Sequence, residues 1–315
     1  MHDLIIIHEH PDWQKPLFAA LEKRGIDFGT FDLKDAAFTP EALPKARLYF
    51  NQASPSAYVR GNTRAVPLCM ALLKAIEETG APVLNGSVAF ALELSKSHQA
   101  ALLKRLGLLG PRTWVFNDPA ALLPIKGDIP WPVLLKPEQG GSGARMFKLN
   151  SYEELVQILN LQPQLWEPDN LLLLQEIIDH DPAQGIVRLE LLGGELLYAM
   201  RVVSHGRFNL CPSETCNPED GDGDGACDIA PTTAPPVEFI PYPEVSDAAV
   251  AGAKAIAKAA GLDVCGIECI ETPAGPFFYD INANSNLRGP IGAAFGFDPF
   301  ERVVDFLEAT LRSIA

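Results

Sequence analysis

Short apolar runs at residues 4–7, 48–50 and 82–84 suit buried strands, and stretches with helical spacing lie between and after them. Leu17, Phe18 and Leu21 recur at helical intervals across 13–24, which Gly25 closes. Residues 65–79 read as a second helix ending at Gly80. Ser87 can cap the next helical stretch, which runs through Lys96 to Leu106 and stops near Gly107. Strand and helix alternate from residue 1 to about 90, which predicts a small parallel α/β unit.

The pattern changes after Pro111. Residues 133–136 form an apolar run ending in Lys136, and 145–149 read as a second strand. A helix starts only afterwards, where Ser151-Tyr-Glu-Glu154 fits a capping box. The stretch Gly140-Gly141-Ser142-Gly143 therefore joins two strands, as a hairpin lid would. Residues 171–178 predict a further strand. Residues 186–192 and 195–203 predict a hairpin turned at Gly193-Gly194. Beyond a polar, acidic loop at about 212–230, residues 247–260 form an alanine-rich helix ended by Gly261. Strands at 264–272 and 276–282 flank a Pro-Ala-Gly turn, and Asp298-Pro299 opens a terminal helix. No internal repeat is visible.

Composition narrows the function classes. At 315 residues the chain exceeds one ordinary compact domain, so two or three subdomains are expected. A formal net charge of −15 argues against general nucleic-acid or anionic-membrane binding, since phosphate-rich partners are repelled at long range. Local lysines and arginines must then hold any anionic ligand. Six cysteines in so long a chain make no disulfide framework. No signal-peptide pattern and no run of roughly 20 apolar residues occurs, so the cytoplasm is the expected location.

Two constellations carry chemistry. The order strand–Lys136–glycine loop–strand is neither a Walker loop, nor a dinucleotide fingerprint, nor the kinase order of loop before lysine. Two readings stay open on this stretch alone. Either the loop closes its backbone N–H groups over a polyphosphate beside the Lys136 charge, or it is a glycine-rich hairpin with a surface lysine. The second constellation is Glu268 with Asp280 and Asn282. Strand periodicity sets Glu268 opposite Cys265, Ile267 and Cys269, and puts Asp280 and Asn282 on one face. Two paired strands could thus gather two carboxylates and an amide carbonyl, hard oxygen ligands suited to Mg²⁺, against the plainer reading of solvent-facing acids.

Taken in order, these residues resemble the ATP-grasp family, and within it the RimK-like carboxylate–amine ligases. The resemblance runs from about Leu48 to the C-terminus. It rests on Val83-Leu-Asn-Gly-Ser87 with Ser95-Lys96, on Leu106-Gly-Leu-Leu-Gly-Pro111-Arg-Thr113, and on Leu134-Leu-Lys136-Pro with its glycine loop. Leu174-Gln-Glu-Ile-Ile178, Arg188 and the Glu268, Asp280, Asn282 set complete it. It implies an α/β ATP-grasp fold: an N-terminal parallel α/β domain (1–94), a central subdomain with the glycine-rich lid (95–180), and a C-terminal subdomain with the metal site (181–315). The last two, each α+β, would clamp ATP. Lys96 and Lys136 would grip the phosphates under Gly140, Gly141, Ser142 and Gly143. The backbone of Glu176, Ile177 and Ile178 would pair with the adenine edge, and Asn209 matches an ATP- or metal-proximal asparagine. Glu268, Asp280 and Asn282 would hold Mg²⁺, or Mn²⁺ in its place.

The implied chemistry is ATP-driven joining of a small-molecule or peptide carboxylate to an amine through an acyl phosphate. Arg188 and Arg201, on the two strands of a hairpin, are expected to stabilise its oxyanionic states. A kinase on the same fold and a non-catalytic ATP-binding regulator are the alternatives. Nucleic acid and membrane are not expected partners, and a homodimer is a common arrangement for the family.

The chain also departs from that pattern. Ile186-Val187-Arg188 lacks the aspartate that branch carries before Ile-Arg, so the ribose contact falls to another residue, with Asp179 and Asp181 as candidates. The metal acids run Glu then Asp, the reverse of the usual order. Ala283-Asn-Ser-Asn-Leu-Arg288 replaces the expected Ser-Pro-Gly, which makes Asn286 and Arg288 candidates for binding a substrate carboxylate. Asp220-Gly-Asp-Gly-Asp-Gly225 imitates a calcium loop but has Pro231 where glutamate belongs. Cys211, Cys216 and Cys227 fit no zinc spacing, and structural placement is expected for His8, Glu9, His10 and Arg60.

Overall fold

A computed structural model describes residues 1–140, 143, 145–204, 237–285 and 287–314. Gly141, Ser142, Asn209, Asn286, the acidic loop and Cys211, Cys216 and Cys227 lie outside the described residues.

Three sheets follow one another along the chain. The first, ordered β2-β1-β3-β4, is parallel and uses β1 (His2–His8), β2 (Phe28–Asp32), β3 (Ala46–Asn51) and β4 (Val83–Leu84). Helices α1 (Pro11–Lys23) and α2 (Ala65–Glu77) make its crossovers. Because β1 is apolar at successive positions, both faces of the sheet are covered. Leu4 and Ile6 pack with Leu17 and Leu21 of α1, while Ile5 and Ile7 meet Leu72 and Leu73 of α2.

The second sheet is antiparallel, ordered β5-β8-β6-β7, from β5 (Thr113–Phe116), β6 (Val133–Pro137), β7 (Phe147–Leu149) and β8 (Leu172–Glu176). The expected glycine hairpin is the β6–β7 connection. Helix α5 (Tyr152–Leu161) follows it, with the Ser151 hydroxyl accepting from the Glu154 N–H at 3.1 Å.

The third sheet, also antiparallel, runs β11-β10-β9-β12-β13: β9 (Ile186–Leu192), β10 (Glu195–Val203), β11 (Glu238–Pro241), β12 (Val264–Thr272) and β13 (Gly275–Asn282). One face carries the alternating apolar residues Val187, Leu189, Cys265, Ile267 and Cys269. Helix α6 (Asp247–Ala260) covers that face with a stripe of small residues. At Gly252 any Cβ would overlap the Phe278 ring, so only glycine allows this approach.

Two helices cross the expected subdomain boundaries. Helix α3 (Ser87–Glu93) leads into α4 (Lys96–Leu106), and α4 packs chiefly on β13 and α6 of the third sheet's layer. Buried Gln99 fixes this contact by donating to Ile281 O at 2.9 Å and accepting from Ile281 N at 3.1 Å. After α7 (Gly289–Ala294), the terminal α8 (Pro299–Ser313) returns to α1, burying Val303, Val304 and Leu307 against the first sheet. Arg24 binds Glu301, Asp305 and Glu308 along its exposed side. Among the described residues no helix is long and apolar enough to cross a membrane.

Candidate active site

Strands of the second and third sheets, with α1 and residues 54–56 of the first unit, line a cavity of about 390 Å³, within the range of small-molecule sites. Its lining includes Lys96, Lys136, Gly140, Gly143, Glu176, Ile177, Ile178, Arg188, Glu268, Asp280 and Asn282. Residues up to 186 positions apart are thus gathered by β6, the segment after β8, β9, β12, β13 and the start of α4.

Lys96 sits at the first position of α4, where the Ser95 hydroxyl caps the helix by accepting from His98 N at 3.1 Å. Its ammonium donates to Asp280 Oδ1 at 2.6 Å. Lys136, near the end of β6, donates to Gln175 Oε1 at 2.5 Å. Glu138 links the two lysine-bearing elements, accepting from the Ser95 and Ser97 hydroxyls and from Ser97 N. Sequence reasoning missed Glu138 and Gln175; the serines on both sides of Lys96 were the available signal for the first.

Burial opposes charge on both lysines, with different outcomes. For Lys96, the Asp280 carboxylate outweighs desolvation and holds the ammonium above its ordinary range. Lys136 has no such contact: burial, reinforced by the Lys96 charge, lowers it to about 8.

Glu268 and Asp280 are direct cross-strand partners, and Glu268 also pairs with Arg188 on β9. Burial and the Asp280 charge push Glu268 up, against the pull of Arg188. Burial would also raise Asp280, but Lys96 and Lys136 bring it below the ordinary carboxylate range. Asn282 donates its side-chain N–H to Gly266 O at 3.3 Å and to Asp280 Oδ2 at 3.1 Å, which leaves Oδ1 as the donor oxygen. Two carboxylates and an amide oxygen on one wall, already drawing the Lys96 and Arg188 cations, fit a hard divalent ion. Among the described residues no group of three or more His, Cys, Asp or Glu could hold a metal without such an amide.

Arg188 is buried and clamped. Nε donates to Glu190 Oε1 at 2.6 Å and Nη1 to Glu268 Oε1 at 2.9 Å. Tyr279 donates to the other Glu268 oxygen at 2.9 Å, and Ser285 to Glu190. The guanidinium lies over Gly266, where any Cβ would collide with it.

Arg201 does not join this group. In a regular two-residue hairpin at Gly193-Gly194 it would face Ile186, on the same side as Arg188. A register shift between Leu196 and Tyr198 adds one residue, so Arg201 pairs with Val187 and its side chain crosses to the other face. There it stacks over Tyr242 at 4.1 Å and donates to Gln184 O. Arg288 is not part of the cavity lining either; its guanidinium lies 3.7 Å over the Phe239 ring. Asp181 accepts from Ala183 N in a local turn, and neither it nor Asp179 lines the cavity, whereas His180 does. The N-terminal unit contributes Trp13, Ser54, Pro55 and Ser56 to the wall. Arg60 is engaged by buried Glu9 and stacks over Trp13 at 4.2 Å.

No family model matches the chain. A probable alpha-L-glutamate ligase from Thioalkalivibrio sulfidiphilus is 26% identical over 244 residues, 77% of this chain and 72% of that protein. The RimK domain ATP-grasp protein from Sphaerobacter thermophilus superposes with a TM-score of 0.69 at 17% identity, covering 96% of this chain and 98% of its own. The chain has the ATP-grasp fold, and in sequence it is similar to the alpha-L-glutamate ligases. A second ATP-grasp structure, the ligase PsnB with minimal precursor, Mg and ADP, matches with a TM-score of 0.62 at 20% identity, over 98% of this chain and 97% of that one. Pro137, Gly140, Gly143 and Met146, between β6 and β7, line the same cavity as Glu268 and Asp280.

Proposed function

We propose that the protein is an ATP-dependent, ADP-forming carboxylate–amine ligase that works through an acyl phosphate on an amino acid, peptide or small carboxylate. The observation that carries this reading is the convergence of Lys96 and Lys136 with Glu268, Asp280 and Asn282 on one cavity. Lys96, Lys136 and the glycine hairpin would hold the triphosphate, and the Glu176–Ile178 backbone would meet the adenine edge. Glu268, Asp280 and Asn282 would hold Mg²⁺ or Mn²⁺, which supplies charge neutralisation for the phosphates.

A substrate carboxylate oxygen attacks the γ-phosphorus, and the bond to the ADP oxygen breaks. The neutral amine nitrogen then adds to the acyl carbon, phosphate departs with the C–O electron pair, and the proton lost by the nitrogen goes to the departing phosphate. Both steps concentrate negative charge on oxygen. Arg188 suits that charge because Glu190 and Glu268 hold its guanidinium in place before substrate arrives. A ligase of this kind releases phosphate from ATP only when carboxylate and amine are both supplied. A stable phosphorylated product would instead indicate a kinase, and nucleotide binding without consumption would indicate a regulator.

A further inference from the structure

Resting on the ligase reading, we propose that Glu138 is a positioning residue for the triphosphate, which sets Lys96 against Lys136 across two sheets. The two lysines come from different layers. Lys136 lies near the end of β6 in the second sheet, whereas α4 brings Lys96 in on the third sheet's layer. Glu138 follows β6 directly and is 7% exposed. Its Oε1 accepts from the Ser95 and Ser97 hydroxyls, both at 2.5 Å, and its Oε2 from Ser97 N at 3.0 Å. Those serines are the residues on either side of Lys96. The Glu138 backbone is pinned as well, with N donating to Leu171 O at 3.2 Å and O accepting from Lys96 N at 3.5 Å.

Helix α4 already has a cap in Ser95, which accepts from His98 N at 3.1 Å. The Glu138 carboxylate adds a different constraint, because it ties the end of β6 to the first turn of α4, where the helix dipole favours a negative charge. A lysine side chain is a flexible four-carbon stem, so its ammonium is placed only as well as its backbone and stem are held. The Lys96 stem runs beside Gly140, where a Cβ would stand 3.4 Å from Lys96 Cε and 3.3 Å from the Pro137 ring. Residues 137–140 therefore hold Lys96 by its backbone, through Glu138, and along its stem, through Gly140. The same segment continues directly from Lys136. Gln139 N donates to Asp169 Oδ2 at 2.8 Å, which fixes the segment in turn to the residues before β8. Removing the carboxylate frees α4 to shift against β6, and the two ammonium groups then lose the fixed spacing that one polyphosphate requires.

The test uses the full-length protein with Mg²⁺ and two ligands: AMPPNP, a non-hydrolysable ATP analogue, and adenosine, which lacks the phosphates. Calorimetry gives the Kd of the first, and displacement that of the second. Glu138→Ala is expected to weaken AMPPNP by at least about tenfold and adenosine by less than about twofold. The same change in a Lys96→Ala background should cost less than about threefold, since the lysine it positions is gone. Glu138→Gln keeps one acceptor oxygen and offers an amide to hydroxyls that can turn to accept it, so it should recover part of the affinity. Thermal melting checks folding. If Glu138→Ala does not fold, Ser97→Ala, which withdraws one hydroxyl from the carboxylate, carries the comparison with a loss of about threefold for AMPPNP alone. Equal weakening of both ligands would show that Glu138 only holds the fold together. A full tenfold loss persisting in the Lys96→Ala background, or unchanged AMPPNP affinity in a folded variant, would show that it does not act through Lys96. Any of these overturns the positioning role while native binding of AMPPNP leaves the nucleotide site standing. A native protein that binds neither ligand defeats the ligase reading, and the positioning role with it.

Discussion

Replacing Arg188 with methionine tests the architecture of the site most directly. The guanidinium is 4% exposed and is the shared hydrogen-bond partner of Glu190 and Glu268, which are 0% and 5% exposed. Methionine roughly preserves the length of the side chain but strands two buried carboxylates near Asp280. Removing one partner of a buried ion pair costs about 3–5 kcal/mol. Tyr279 and Ser285 still donate to these acids and temper the loss, so the lower half of that range is expected. For a chain of this size about 2 °C is lost per kcal/mol, which gives a fall in Tm of about 6–8 °C. The measurement is thermal melting without nucleotide or Mg²⁺, which would otherwise relieve Glu268. Arg188→Met combined with Glu190→Gln removes one stranded charge and should restore about half of the fall. Turnover should remain absent in both variants, because neither restores a cation at the reacting oxygens. A fall under about 2 °C in Arg188→Met would show that the clamp does not hold the sheet together, and the argument from burial would be wrong.

Asp280→Asn should abolish ATP turnover in a folded protein, and undiminished phosphate release would remove Asp280 from any metal site. Lys136→Ala should weaken nucleotide affinity by about ten- to a hundredfold, and an unchanged Kd by calorimetry would exclude Lys136 from the site. Since free Lys136 loses its proton near pH 8 and bound phosphates favour its charged form, binding takes up a proton above that pH. Affinity should therefore be flat below pH 8 and fall by about tenfold per pH unit above it, while Lys136→Arg should flatten the profile; a native profile that is level up to pH 10 would refute this sign. Gly266→Ala should drive the clamped guanidinium out of position, costing about 1–3 kcal/mol and most of the turnover; a variant with normal melting and rate would refute the packing.

Several parts of the site were legible because short-range pattern encodes them. An apolar run, a lysine, clustered glycines and another apolar run make a strand–loop–strand unit by local propensity alone. Alternation along residues 264–282 placed Asp280 and Asn282 on one face and Glu268 opposite its apolar neighbours, but it also put Tyr279 opposite Asp280, whereas a register shift beside Glu268 brings Tyr279 into the same cavity. Glycine after Leu106 marked the end of α4, but the stretch read as one helix from Ser87 is broken at Ser95, which caps α4 separately. The resemblance to ATP-grasp proteins followed from the order of these pieces.

Tertiary structure decided what depends on register, on packing between distant segments and on burial. One extra residue in β10 moved Arg201 to the opposite face, and no propensity marks a bulge at Leu196–Tyr198. That α4 packs on β13, carrying Lys96 to Asp280, follows from Gln99 finding Ile281 182 positions away. Glu138 reads in the sequence as one more loop acid. Only the fold buries it against Ser95 and Ser97, and a carboxylate needs partners only once water is excluded, so its part in the site was created by the assembled structure and not by the local chain.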